Sequence, residues 1–412
     1  MTEPTQKRYR PVATSFSMGF TAGAPFIVVV TLVQAWLKDG NVAIAIIGLF
    51  AMCRIPYSLK FIWAPVMDYV APFGERRRGW LFISQISLIL SIIFFSHIDA
   101  ANLPLAILAT LWLSFSSASQ DVSVDAYRRE DLTDEELPLG TSAYLWGYRL
   151  GMVIVSGGGL ILADYWGWDT VFRLTALALL LGPITLLWSP EPAANKYKPT
   201  SLSDSIKGSL IDLFTRHKAI LLLFFILMYR LGEQLAVSLN TVFFMEAGYS
   251  KTEIGIVVKA FGLIATLLGI YLANIFSRKY GNMAALRLFG WLQLGNMAAL
   301  TAVWVLPSKI GILAFFVTVD HIIVGGTGLV FTVFLSTQTK LNYTATQYAI
   351  LTSVMALPAN FLASPAGWLV EILGWPGFYL LGAVLVLPGL ALLRALKQSG
   401  GGLPVSPRDY QD

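Results

Sequence analysis

An all-helical integral membrane fold, with twelve spanning helices in two pseudo-symmetric six-helix bundles, is predicted by three features of the sequence. Hydrophobic residues make up 56% and charged residues 13% of the 412 positions. Apolar stretches of about twenty residues recur along the whole length, each able to cross a hydrocarbon core of roughly 30 Å as a helix. The basic residues collect in alternate connections, as membrane topology requires. Soluble domains are roughly 45 to 50% apolar and about 25% charged, so a mean hydropathy of +0.66 requires most of this chain to face lipid. No soluble domain is left over.

A short basic segment with Lys7, Arg8 and Arg10 precedes the first apolar run. That run, Val12 to Trp36, is too long for the apolar core of a secretory signal and reads as an uncleaved first helix. Helices are predicted at about 12–36, 43–70, 79–98, 103–127, 140–163, 169–188, 218–245, 252–276, 284–305, 310–336, 346–370 and 376–394. Both ends then share one side. With that side cytoplasmic, its segments hold about twenty Lys and Arg, against about three (Lys38, Lys251 and Lys309) on the other. This distribution also removes the nucleic-acid reading that the net charge of +5 invites. Cys53 is the only cysteine and falls in the second run, so no intramolecular disulfide forms.

The longest connection, Ser189 to His217, divides the chain into an N-terminal bundle (1–188), a linker (189–217) and a C-terminal bundle with a short tail (218–412). Two such bundles are what rocking about a central site requires. Within the linker, Leu202, Ile206, Leu210, Leu213 and Phe214 recur at helical spacing and suggest an amphipathic helix on the inner membrane surface. Small residues four apart (Gly19 and Gly23, Gly147 and Gly151, Ala265 and Gly269, Ala363 and Gly367) let helices approach closely, or simply pack.

An ionisable side chain at the bilayer centre costs at least roughly 2.5 to 3.5 kcal/mol, so each one retained there is a candidate functional group. The predicted helices keep Arg54 and Lys60 in the second, Asp121 and Asp125 in the fourth and Arg149 in the fifth. Arg230 and Glu233 lie in the seventh, Lys259 in the eighth and Asp320 in the tenth. Counted in threes, the acids fall in the series that starts with the first helix and most bases in the series that starts with the second. The third, sixth, ninth and twelfth hold essentially none, which implies a repeated six-helix unit around a polar interior.

Asp121 and Asp125 share one helix face, and two acids close together in a low dielectric do not both ionise easily, so one is a candidate proton carrier. An equal alternative pairs Asp125 with Arg128 or Arg129 as a gate or anchor. Arg230 and Glu233, three apart, can pair with each other, which makes Glu233 a further candidate carrier or half of a static ion pair. Asp320 is a fourth candidate. Its neighbour His321 points elsewhere on the helix and reads as a packing residue. Arg149, Arg230 and Lys259 can hold an anionic substrate, and the surplus of buried bases over acids favours one. Most aromatic residues belong to interfaces and packing, but Tyr148 or Tyr229, where facing a cavity, can stack on a sugar ring.

Asp68 ends the second helix, and Arg76, Arg77 and Arg78 follow in a short loop. This resembles the loop signature of the major facilitator superfamily, whose charges latch the two halves in one state. In the second half Ser277, Arg278 and Lys279 leave the acid position empty.

Longer matches carry a narrower resemblance. Gln34-Ala35-Trp36, Phe61-Ile62-Trp63-Ala64-Pro65-Val66-Met67-Asp68 and Ser117-Ala118-Ser119-Gln120-Asp121-Val122 are similar to the anhydromuropeptide permease (AmpG) family. So are Gly147-Tyr148-Arg149-Leu150-Gly151-Met152, Tyr229-Arg230-Leu231-Gly232, Lys259-Ala260-Phe261-Gly262 and Ala345-Thr346-Gln347-Tyr348-Ala349. The likeness covers nearly the whole chain in order. Glu233 stands where the family typically has Asp, Asp320 where it has Glu and Arg230 where it has Lys. The first helix reads Thr21-Ala22-Gly23-Ala24-Pro25-Phe26 in place of a Ser-Gly-Leu-Pro pattern. The two extra C-terminal helices of some members are expected to be absent.

The resemblance implies proton-driven import of GlcNAc-anhydro-MurNAc peptides across the bacterial inner membrane by a monomer without cofactor or metal. It maps Gln120, Asp121, Asp125, Arg149 and Lys259 onto polar positions of the family pattern. A related branch imports pyochelin- and rhizobactin-type siderophores, an alternative substrate that also presents carboxylates. Eukaryotic acetyl-CoA transporters are more distant. The chain has no Walker A loop for an ATP-driven pump and no HExxH or GxSxG motif for an intramembrane enzyme. A non-transporting sensor is the remaining alternative, and it would show no flux in sealed vesicles.

Overall fold

The computed structural model describes residues 5–43, 46–47, 50–192, 199–216, 219–237, 239–362 and 366–398. Among them, every regular element is a helix. Lipid dictates this, because it offers no partner to backbone N–H and C=O groups and an isolated helix satisfies its own. Among the described residues, nine helices are long and apolar enough to span a membrane. One of them, Leu137–Leu186, is 50 residues long and turns at Gly167 (φ +74°), where the fifth and sixth predicted helices meet. The Ala366–Gln398 helix turns likewise at Gly374 (φ +66°).

The expected second helix departs from prediction. Apolarity alone made 43–70 a continuous span, but its described part is a series of short pieces: Phe50–Arg54, Ile55–Leu59, Lys60–Ile62 and Ala64–Tyr69. Pro56 and Pro65 stand in the first turns of two of these pieces, where a missing N–H costs nothing. The seventh helix is divided too, into Ala219–Tyr229, Leu231–Val237 and Asn240–Glu246. Single π-helical turns interrupt the first, fifth and eighth helices at Val28–Leu32, Ile154–Gly158 and Gly255–Phe261. Such turns are frequent at functional sites.

The two halves repeat at one interval. Asn41 and Gly248, Gly74 and Gly281, and Gly167 and Gly374 are each 207 residues apart, and all six take positive φ. The same interval separates two matching contacts. Trp168 donates its indole N–H to Asp39 at 2.8 Å, and Trp375 donates to Glu246 at 2.7 Å.

The chain divides into two compact units. The first comprises residues 1–210 and 339–353. Its apolar core stacks Trp36, Phe95 and Phe172 with ring centroids 5.1 to 5.9 Å apart. Here the expected small residues bring two helices into backbone contact: a Cβ added at Gly147 would lie 2.0 Å from the Phe16 carbonyl oxygen, and one at Gly19 would lie 2.0 Å from that of Tyr144. The second unit comprises 211–338 and 354–412, with a core around Phe243, Trp375 and Tyr379. Gly269 plays the same role there against Ile322. Ala363 of the fourth predicted pair lies outside the described residues.

The expected linker helix forms at Leu202–Thr215 with its apolar face outward. Leu202, Ile206, Leu210 and Phe214 are exposed, while Ser205, Ser209 and Leu213 are buried. The Ser205 hydroxyl donates to the Pro65 carbonyl at 2.8 Å, and the Tyr343 hydroxyl donates to Asp204 at 3.0 Å. The Thr200 amide, bonded to the same carboxylate, holds Asp204 below the ordinary carboxyl range.

The close approach at Gly147 is testable. Gly147→Val forces the first and fifth helices apart and is expected to lower stability by at least roughly 2 kcal/mol in detergent thermal melts. Gly295→Ala, which meets nothing within 4 Å, is expected to leave the melting temperature unchanged or higher.

Candidate functional site

The described charges gather in a cluster around Asp68 and along one face of a spanning helix. In the cluster, Asp68 has no exposed surface. Its carboxylate accepts from Arg77 Nη2 at 2.7 Å, from the amides of Ala345 and Thr346 at 3.1 and 2.8 Å, and from the Thr346 hydroxyl at 2.6 Å. Those amides open the Thr344–Leu362 helix, so Asp68 supplies a cap and a negative charge to a helix 276 or more residues away in sequence.

The three arginines have three roles. Arg77 bonds Asp68 and also donates to Glu130 Oε1 through Nε at 3.0 Å and Nη2 at 2.5 Å. Arg76 reaches both Glu130 oxygens at 3.2 and 3.3 Å and the Asp68 backbone carbonyl at 3.5 Å. Arg78 pairs with Glu75 and donates to the Leu186 carbonyl. Glu130 was missed in the sequence because an acid beside Arg128 and Arg129 at a helix end reads as anchoring. Its adjacency to a basic pair was the available signal. Glu191 was missed as well. It accepts the amides of Arg77 and Arg78, both at 2.9 Å, and caps the Arg76–Phe95 helix.

The stripe runs along one face of the Leu103–Asp131 helix through Ser117, Asp121, Asp125 and Arg128. Asp125 Oδ1 accepts from Arg128 Nη2 at 2.8 Å, one of the two arginine pairings expected for this acid. Asp121 Oδ1 and both amide atoms of Gln120 are buried without a hydrogen-bond partner among the described residues. Each such group costs about 1 to 3 kcal/mol if left unmet. Lys60, Asp125 and Arg128 are the charges that act on Asp121. Phe26 lies 5.5 Å from the ring of Tyr57 and 6.3 Å from that of Tyr148, with the Arg54 guanidinium 5.9 Å from its centroid. Arg149 follows Tyr148 on the Leu137–Leu186 helix and is half-buried.

In the second unit Arg230 and Glu233 form the expected ion pair, and Glu233 acts electrostatically on Asp320. Asp320 Oδ1 accepts from Asn296 Nδ2 at 2.7 Å, a ninth-helix partner that a search for charges alone passes over. His321 turns instead to the Thr266 hydroxyl at 3.1 Å, as a packing residue would. Tyr229 is 1% exposed, donates to the Leu286 carbonyl and stacks on Phe331, so it is closed to a sugar ring. Lys259 lies in the π turn at Gly255–Phe261, and its side chain is outside the described set.

A helical membrane chain with a repeated half, acids kept inside spanning helices and a buried acid–arginine cluster is built as a transporter. Residues 12–357 match the family model of the Major Facilitator Superfamily. The fold is similar to that of the proton:xylose symporter XylE bound to 6-bromo-6-deoxy-D-glucose, with a TM-score of 0.72, 14% identity and 96% of each chain covered. It is also similar to the Escherichia coli fucose:proton symporter FucP, with a TM-score of 0.75, 11% identity, and 93% of this chain and 98% of that one covered. The anhydromuropeptide permease of Escherichia coli K12 is 34% identical over 93% of this chain and 79% of its own. The chain therefore belongs to the anhydromuropeptide permease family of the major facilitator superfamily.

The charges of the Asp68 cluster balance, two carboxylates against two guanidiniums. Glu130→Gln leaves Arg76 and Arg77 buried with one anion between them and is expected to cost roughly 3 to 5 kcal/mol in thermal unfolding. Glu191→Gln removes only charge from a helix cap, and a loss below about 1 kcal/mol is expected.

Proposed function

We propose that this transporter imports GlcNAc-anhydro-MurNAc peptides released from the cell wall, from periplasm to cytoplasm, driven by the proton gradient. It works as a monomer in the bacterial inner membrane with both termini cytoplasmic, and its two six-helix halves (1–188 and 218–412, joined by 189–217) alternate access to a midplane site. The observation that carries the reading is the stripe on the fourth helix. Asp121, with one oxygen unmet by any described residue, sits a turn from Asp125, which is paired with a buried arginine. An acid kept in a membrane without a full set of partners is suited to taking up and releasing a proton as access changes.

Asp121 and Asp125 carry the proton in the first half, with Glu233 and Asp320 as their counterparts in the second. Gln120 and Tyr148 address the sugar, a donor-acceptor amide and a ring face. Arg149, Arg230 and Lys259 address the peptide carboxylates, Arg230 while also paired with Glu233. Asp68 with Arg76, Arg77 and Arg78 holds the cytoplasmic gate closed until the loaded state forms. The name of the Escherichia coli relative supports the substrate assignment.

Uptake of labelled anhydromuropeptide into proteoliposomes under an inward proton gradient tests the whole reading. Wild-type flux is expected to collapse with a protonophore, and Asp125→Asn is expected to bring gradient-driven uptake to background while the protein stays folded. Flux of a labelled ferric siderophore in place of muropeptide would move the substrate class and leave the coupling scheme. Arg149→Gln removes a charge-assisted contact and is expected to raise the KM for the peptide-bearing substrate roughly tenfold or more. An unchanged KM removes Arg149 from the site.

A further inference from the structure

Arg128 is 2% exposed and lies one turn beyond Asp125. Its Nη2 is 2.8 Å from Asp125 Oδ1 and 3.3 Å from the Tyr348 hydroxyl, and its guanidinium carbon stands 4.4 Å from the Tyr144 ring centroid. Tyr348 belongs to the Thr344–Leu362 helix, whose opening residues are bonded to Asp68. Residues 339–353 are therefore tied to the first unit at two levels. The lower tie is the gate carboxylate. The upper tie passes through a guanidinium whose counter-charge is a membrane acid.

We propose that Arg128 reads the protonation state of Asp125 and transmits it to the Thr344–Leu362 helix through Tyr348. Arg128 and Tyr348 are positioning residues in this scheme, which rests on the proton-coupling reading above. With Asp125 ionised, its carboxylate and the Tyr348 oxygen share one guanidinium nitrogen, and the helix is held. A proton on Asp125 removes the counter-charge and leaves a buried cation, which costs several kcal/mol unless it finds another anion. The groups facing this locus are Asp121 on the same helix, Tyr144 and Tyr148 on the fifth, Lys60 on the second and Tyr348 itself. A guanidinium without its counter-charge shifts toward another acceptor or water, which draws Nη2 away from Tyr348 and releases this upper tie of the helix. The sign suits an importer: the ionised, higher-pH form is tethered, and the proton that enters with substrate loosens the cytoplasmic end.

Hydrogen exchange of amides 347–352 tests this on the full-length protein in lipid nanodiscs, at pH values on either side of the uptake midpoint and corrected for intrinsic rates. Wild type is expected to lose protection roughly tenfold on acidification, the equivalent of one charge-assisted hydrogen bond. Asp125→Asn is expected to show the acid-form exchange at both pH values. Tyr348→Phe, which keeps the ring, is expected to lose protection at high pH and to lose the pH response. If Tyr348→Phe exchanges faster by the same factor at both pH values, its role is structural and the proposal fails. Proton-driven uptake by the same Asp125→Asn preparation separates the two levels: persistence removes Asp125 as the coupling acid, whereas loss of uptake with wild-type exchange removes only the link.

Discussion

A carboxylate with no exposed surface must replace every hydrogen bond that water gave it, and Asp68 does so with donors from two directions. Arg77 comes from the start of the Arg76–Phe95 helix, and Ala345 and Thr346 come from the start of the Thr344–Leu362 helix. One side chain therefore fixes where one helix ends and where two others begin. The constraint propagates. Arg77, once buried, needs a second anion, which brings Glu130 and the end of the fourth helix to the same point. Glu130 in turn holds Arg76, and Glu191 caps the helix that carries both arginines. The end of the fourth helix is thereby set, and the register of Asp121 and Asp125 along it follows.

The two charged regions follow opposite rules. At the gate, each carboxylate is met by arginines or amides. Such a network is costly to break and suits a contact that must hold. Along the stripe, Asp121 and Gln120 keep atoms that no described side chain satisfies, although Gln120 is 1% exposed. A protein selected only for stability would not leave these groups so. Unmet polar atoms within a spanning helix are what a polar cargo or a proton can bind against. Arg128 belongs to both regions, since Asp125 neutralises it and Tyr348 joins it to the gated helix.

The fold was legible because lipid is a simple solvent: run length, the charges that run length cannot hide and the side on which arginines collect are all local properties. Asp68 was legible too, since an acid before a basic cluster is unusual at a helix end. Glu130 and Tyr348 were not, because their roles come from partners 53 and 220 residues away. The second helix was misjudged as continuous for a related reason. Apolar content records that a segment prefers lipid, while its path among short pieces is set by Pro56, Pro65 and the buried Lys60 between them. Asn296 escaped because a neutral amide carries no penalty large enough to mark it.

The repeat separates what the charges around Asp68 do from what the turn itself requires. Gly74 and Gly281 adopt nearly the same backbone, with φ of +81° and +82°, in corresponding loops of the two halves. At the same interval, Asp68 corresponds to Ile275 and Arg77 to Ala284. The second loop reaches its shape with neutral groups. Asn282 accepts from the Ser277 hydroxyl at 3.1 Å and donates to the Val330 carbonyl at 2.9 Å. The turn therefore needs no acid and no arginine to form. Their presence in the first half alone serves the Thr344–Leu362 helix, which is the element Asp68 caps and Tyr348 ties to Arg128. A contact present in one half of a repeated fold breaks its symmetry, and here the break falls on the helix that Asp68 caps.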